Sequence, residues 1–164
     1  MTPINATLVI RASADSVWAS ITHFAKYAEW NRLTPTIDGA AQLNARLGVT
    51  LAPTGHRPIA LKARVLVAAR NRELRWCGTG WMPRSLKVEH GFRIEQRADG
   101  CRVYHSLSCT GWRAKERLIE ALRQAFEATN MALVARIGAA PEPSPSVPIV
   151  LAADAAASLV MTSG

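Results

Sequence analysis

Residues 86–109 constrain the fold most, because apolar and polar side chains alternate there in two stretches joined by Asp99-Gly100. A period of two is typical of β-strands with one buried face. Asp-Gly between alternating stretches favours a two-residue hairpin turn, since both central residues of a type I′ turn need positive φ. The segment therefore predicts an antiparallel hairpin, with one apolar face shared by its two strands.

The position of the turn fixes which residues of the hairpin face each other. With Asp-Gly as the two loop residues, Ile94 faces His105 and His90 faces Cys109. The two histidines then lie on neighbouring strands but four positions out of step, about 13 Å apart along the sheet. In this register they form neither a catalytic dyad nor a shared metal site.

The rest of the chain predicts further strands around this hairpin and one long helix. Alternation or β-branched content indicates strands at residues 4–11, 36–47, 49–53, 59–67 and 73–81, the second of them anchored by Ile37 and Leu43. Two short helices follow the first strand, one capped by Ser13 and one from Phe24 to Trp30. Residues 113–136 repeat apolar side chains at intervals of three and four, which predicts a long amphipathic helix ending near Gly138.

Composition divides the chain into a domain and a tail. The sequence of 164 residues is 49% hydrophobic, enough for a core in residues 1–138. Residues 139–164 combine a Pro-rich linker with an apolar segment too short to span a membrane, and we expect them to be poorly ordered. Three cysteines without metal-binding spacing, and no signal peptide, predict a cytoplasmic protein with reduced thiols.

The net charge of +8 raises the question of an anionic partner. Arginines and lysines occur singly along the chain, often beside glutamate, and nowhere form a block. Because clustered basic residues are what mark a nucleic-acid footprint, this pattern argues against nucleic-acid binding. We interpret most of the charge as solvated strand faces.

Several motifs in order resemble the SRPBCC superfamily, which includes START domains, Bet v 1-like proteins and small bacterial polyketide cyclase/dehydrase and lipid-transport proteins. They are Ala-Asp-Ser-Val-Trp at 14–18, Phe-Ala-Lys-Tyr-Ala-Glu-Trp-Asn at 24–31, Glu-Leu-Arg-Trp-Cys-Gly at 73–78 and Glu-His-Gly-Phe-Arg-Ile-Glu at 89–95. The resemblance implies an α+β helix-grip fold. In that fold a bent antiparallel sheet of six to seven strands wraps around a long C-terminal helix and encloses an apolar cavity.

Strand parity and the resemblance together predict which side chains line the cavity. The ligand-binding candidates come from the helical corner, four strands and the long helix: Trp30, Val65, Trp76, His90, Phe92, His105, Leu107, Leu122, Phe126 and Thr129. The sequence indicates neither a cofactor nor a metal, since no glycine-rich phosphate loop or HExxH motif is present. The Ser-His-Asp order of a catalytic triad is also missing. Residues 80–85, which hold glycine and proline, are expected to form a mobile lip of the cavity.

Three functions remain open at this stage. The first is a carrier or sensor that binds a hydrophobic small molecule of lipid, polyketide or aromatic type. The second is a polyketide cyclase/dehydrase-like enzyme with His90 or His105 as the acid–base residue; Leu107, where small members of the superfamily often carry glutamate, argues against it. The third is a stress-response or interaction module with a filled cavity, in which residues 149–161 of the tail bind a protein partner.

Overall fold

The computed structural model of the protein describes residues 2–139, and the predicted linker and tail lie outside them. The elements follow one another as β1 (Thr2–Ile10), α1 (Ala14–Thr22), a 3₁₀ helix (Phe24–Glu29), β2 (Thr36–Asp38), β3 (Arg46–Leu51), β4 (Ile59–Ala69), β5 (Glu73–Gly80), β6 (Lys87–Arg97), β7 (Gly100–Thr110) and α2 (Glu116–Ala139). Within these residues no helix is long and apolar enough to cross a membrane.

A single antiparallel sheet contains all seven strands, in the order β1-β7-β6-β5-β4-β3-β2. Consecutive strands from β2 to β7 are hydrogen-bonded neighbours, while β1 pairs with β7 at the edge. A register shift between Val65 and Val67 interrupts the pairing of β4 with β5, and such bulges bend a sheet locally. The curled sheet closes on α2, so the predicted α+β helix-grip fold is confirmed.

The apolar stripe predicted for the long helix faces the sheet. Leu122, Phe126 and Leu133 are buried one or two turns apart, as the 3.6-residue period requires. The inward parity of β5 is also confirmed, since Leu74 and Trp76 are both buried. The interior of the protein therefore lies between this helix and the sheet.

The prediction of a strand over residues 36–47 was wrong. β2 has only three residues, and Leu43, expected to be an anchor, is exposed in the connection that follows. Asn44 has a positive φ there, which is incompatible with a continuing strand. Gly48, expected at a turn, lies inside β3 and pairs with Asp38 and Lys62.

The predicted register of the central hairpin was wrong by two residues. Arg97 pairs with Gly100, so Ala98 and Asp99 are the loop residues. Gly100 has a φ of 145°, and a Cβ there would collide with the carbonyl oxygen of Ile10. Glycine at this position thus allows β1 to approach closely, and the type I′ turn suggested by Asp-Gly does not form.

Ser13 caps α1 as predicted, and its removal gives a first test of the local structure. Its hydroxyl oxygen accepts a 3.2 Å hydrogen bond from the backbone N–H of Ser16. We expect Ser13→Ala to lower the free energy of unfolding by about 1 kcal/mol, measured by urea denaturation. Ser13→Asp restores an acceptor and should lose much less; equal losses in both variants would contradict a capping role.

Candidate functional site

All ten predicted ligand-binding residues are buried. They are Trp30, Val65, Trp76, His90, Phe92, His105, Leu107, Leu122, Phe126 and Thr129. Alternation points the candidates on the strands to one face of the sheet, and the helical period points those on α2 toward the same interior. No ligand contact is established for any of them, so their role in binding remains a prediction.

Aromatic rings form the centre of this interior. The His105 ring is stacked between Phe92, with centroids 4.2 Å apart, and Phe126 of α2, with centroids 4.0 Å apart. His90 lies edge-on to Phe92 and 5.1 Å from the ring of Trp76. Contacts between these rings therefore join β5, β6, β7 and α2.

The two interior histidines are hydrogen-bonded to each other, which corrects the separation of about 13 Å expected along the sheet. His90 pairs with Leu107 and His105 with Phe92, so the histidines are diagonal neighbours on one face of the sheet. Their Nε2 atoms are 2.7 Å apart. The two-residue change in register explains why the histidines are close rather than far apart. Diagonal neighbours on adjacent strands lie within reach of long side chains.

Asn130 of α2 extends this pair into a chain of three polar side chains. Its Oδ1 lies 2.5 Å from Nδ1 of His105. An amide oxygen only accepts, so His105 donates from Nδ1. The Nε2 of a neutral His105 must then accept, and Nε2 of His90 donates to it. The chain of hydrogen bonds thus fixes one tautomer for each neutral imidazole.

Burial keeps both imidazoles neutral at neutral pH. It lowers the pKa of His105 to about 3, although the hydrogen bond with Asn130 acts in the opposite direction. Burial is also the main cause that lowers the pKa of His90 well below its ordinary value, and the neighbouring His105 adds to it. The pair therefore acts as an uncharged donor and acceptor rather than as a cation.

Sequence reasoning missed Asn130. Its position one turn after Phe126 places it at the edge of the apolar stripe, where a polar side chain is usually exposed. Here it is buried, and its partner His105 is 25 residues away in sequence. The signal available in the sequence was a polar residue four positions after an inward aromatic residue, but only the correct hairpin register supplies its partner.

Thr129 holds the chain segment that follows the 3₁₀ helix. Its hydroxyl oxygen accepts hydrogen bonds from the backbone N–H groups of Arg32 at 3.0 Å and Leu33 at 2.9 Å. Asn31 lies beside it and accepts from the backbone N–H of Thr34. This corner therefore ties residues 31–34 to the middle of α2.

The same corner contains buried polar atoms without a hydrogen-bond partner among the described residues. They are Nε1 of Trp30, Nδ2 of Asn31 and Oγ1 of Thr34. Buried polar groups in folded proteins are nearly always paired, so each unpaired one calls for an explanation. All three atoms belong to residues 30–34, the segment held by Thr129.

A groove of about 790 Å³ opens at the N-terminal end of α2. Thr54 and His56, from the β3–β4 connection, form one side, and residues of the first two turns of α2 form the other. The backbone N–H of Thr54 donates to the carbonyl oxygen of Ala121, which holds the connection against the helix. The groove therefore lies on the surface between this connection and the start of α2.

The fold is that of the helix-grip class of proteins. Its curled antiparallel sheet closes on one long C-terminal helix, and the two enclose an aromatic interior that holds the hydrogen-bonded histidines. Residues 1–138 match the family described as polyketide cyclase / dehydrase and lipid transport, and the chain belongs to that family. No curated protein matches the sequence.

Solved structures share the fold at low sequence identity. The protein jhp0584 of Helicobacter pylori superposes with a TM-score of 0.69 at 16% identity, covering 82% of this chain and 87% of its own. The Zhui aromatase/cyclase from Streptomyces sp. R1128 gives a TM-score of 0.68 at 13% identity, covering 84% and 93%. CalU16 from Micromonospora echinospora gives 0.61 at 18% identity, covering 86% and 77%. At these identities the likeness establishes the fold alone.

Proposed function

We propose that the protein binds a hydrophobic small molecule, of lipid, polyketide or aromatic type, between the sheet and α2, as a carrier or sensor. The observation that carries the proposal is the hydrogen-bonded chain of His90, His105 and Asn130 at the centre of an aromatic interior. Burying such groups costs desolvation free energy that an apolar core avoids. The chain therefore favours a role beyond packing, namely contact with a polar atom of a ligand.

The unpaired atoms beside Thr129 support the same conclusion. Trp30 and Asn31 each present a buried N–H group with no acceptor among the described residues. An oxygen atom of a ligand would satisfy either donor. We therefore expect the ligand to have an apolar body with at least one carbonyl, hydroxyl or carboxylate oxygen, as lipids and polyketides do.

Binding requires the interior to open, because the rings at its centre are in contact. Phe126 is the side chain of α2 that stacks on His105, so a shift of α2 away from the sheet separates this stack. The groove between the β3–β4 connection and the start of α2 is where we expect such an opening to begin. A bound ligand would take the place of contacts between the aromatic rings, and its own contacts with these rings would cover a similar area.

Calorimetric titration with fatty acids, sterols and aromatic polyketides tests this proposal. At least one class should bind in a one-to-one complex. His105→Phe keeps the ring stack but removes the hydrogen bonds, and should weaken binding about tenfold. The matched control is His23→Phe, at an exposed position outside the groove, which should bind like the unaltered protein. No binding by any class, or equal binding by His105→Phe, would instead favour an interaction module with a filled interior.

A second candidate function is acid–base catalysis of the cyclase/dehydrase kind. The observation in its favour is the 2.7 Å hydrogen bond between the two imidazoles, which gives a proton path from His90 to His105. The low pKa of both histidines makes them weak bases and argues for binding alone. Incubation with a poly-β-keto thioester separates the two: a cyclised, dehydrated product that His90→Gln fails to form would establish catalysis.

A further inference from the structure

Two loops meet at the end of the sheet where β5, β7 and α2 come together. Residues 81–86 connect β5 to β6, and residues 111–115 connect β7 to α2. The backbone N–H of Trp112 donates to the carbonyl oxygen of Arg84 at 3.3 Å, and that of Arg113 donates to Ser85 at 2.9 Å. We call residues 81–86 and 111–115 together the tryptophan tip, and these bonds make it one unit.

Large apolar side chains project from the tryptophan tip. Trp81 is 79% exposed and Trp112 is 56% exposed, and Met82, next to Trp81 in the sequence, is also exposed. Three large apolar side chains kept in water on two hydrogen-bonded loops mark a surface that binds a partner. Tryptophan in particular prefers the boundary between lipid and water, where its apolar rings and its N–H group are both accommodated.

Basic residues lie in the tip and next to it in the sequence. They are Arg84, Lys87, Arg113, Lys115 and Arg117, with Glu116 as the acidic residue among them. None of the five forms an ion pair within residues 2–139. A groove beside the tip is lined by Arg84, Lys87 and Trp112, and its two cationic side chains suit an anionic group. These charges are therefore available to a partner.

We propose that the tryptophan tip docks the protein on the surface of a membrane rich in anionic lipids, with Trp81, Met82 and Trp112 inserted among the headgroups. Apolar insertion combined with basic side chains at the same level is the pattern of interfacial membrane binding. The aromatic side chains are carried by loops at the end of the sheet rather than on a flat sheet face, which favours insertion over stacking with nucleic-acid bases. The proposal uses residues other than those of the proposed interior site and does not depend on it.

Sedimentation with lipid vesicles tests this docking. The protein should sediment with vesicles of phosphatidylcholine and phosphatidylglycerol, and about tenfold less with vesicles of phosphatidylcholine alone. Added salt should weaken the binding, since the basic residues contribute by charge. Emission of the exposed tryptophans should shift to the blue on binding, as they leave water.

Paired variants separate the tip from the rest of the surface. Trp81→Ser/Trp112→Ser should bind the phosphatidylglycerol vesicles at least tenfold more weakly. Its control is Val9→Ser/Met131→Ser, at positions 71% and 75% exposed and outside the tip, which should bind normally. Arg84→Glu should also weaken binding, whereas Arg72→Glu, in the β4–β5 turn at the opposite end of the sheet, should not. Thermal midpoints of all variants confirm that each is folded.

Two results would overturn the proposal. One is equal vesicle binding by the tip variant and its control, or no binding to either type of vesicle. The other is tight binding of a single-stranded oligonucleotide that depends on Trp81 and Trp112 while the vesicles are ignored, which would make the tip a nucleic-acid surface.

Discussion

Lowering the pH from 7 to 5 is expected to destabilise the fold through the buried histidine pair, by about 2 kcal/mol from His105 alone. Both imidazoles have a pKa far below its ordinary value in the folded protein, about 3 for His105. In the unfolded chain each titrates near 6.5, so between these values the unfolded state binds more protons. Stability is therefore fully present above pH 6.5 and falls as the pH drops below it, by about 2 kcal/mol for His105 at pH 5, and His90 adds a loss in the same direction.

Urea denaturation at pH 7, 6 and 5 measures this dependence. The double variant His90→Leu/His105→Phe lacks both imidazoles, and its free energy of unfolding should lose less over the same range, by at least about 2 kcal/mol. Parallel pH profiles for the unaltered protein and the double variant would show that the pair is not held neutral by burial.

Thr129→Val is expected to destabilise the protein by about 2 to 4 kcal/mol. Valine has nearly the shape of threonine, but it leaves the backbone N–H groups of Arg32 and Leu33 without their acceptor. A buried donor that loses its partner costs its full desolvation free energy, which exceeds the value of an average hydrogen bond. Urea denaturation at pH 7 gives the difference in free energy of unfolding.

Thr129→Ser is the matched control for this prediction. It keeps the hydroxyl oxygen and removes one buried methyl group, so we expect a loss of about 1 kcal/mol. Equal losses for the valine and serine variants would mean that Thr129 acts through packing alone and does not hold residues 31–34.

The strands and the long helix could be predicted because their periodicity reflects burial of one face. β4 and β5 alternate as expected, and the stripe of α2 faces the sheet with Leu122, Phe126 and Leu133. The helix cap formed by the hydroxyl of Ser13 could also be predicted, since its donor and acceptor lie three residues apart in the sequence. Patterns of this kind depend on near neighbours and are visible in one sequence.

The histidine pair could not be predicted, because the turn between β6 and β7 is not the one that its local sequence suggests. Asp99-Gly100 looks like a type I′ turn, yet Ala98 and Asp99 form the loop and Gly100 lies against Ile10 of the neighbouring β1. This register differs by two residues from the predicted one and brings His90 to His105. Asn130 was missed for the same reason, since a buried polar residue makes sense only when its partner is known. Alternation correctly predicts which side chains point inward, but the pairs in contact depend on the register between strands.

Native mass spectrometry tests the central claim, that the helix-grip interior binds a hydrophobic molecule, most directly. The measurement compares the protein as purified from cells with the same protein after incubation with fatty acids, sterols and aromatic polyketides, followed by solvent extraction of what is bound. The account predicts one apolar, oxygen-containing molecule per chain, with much lower occupancy in His105→Phe and unchanged occupancy in His23→Phe. A protein that keeps its bare mass under all of these conditions would contradict it and leave the interior as packing alone.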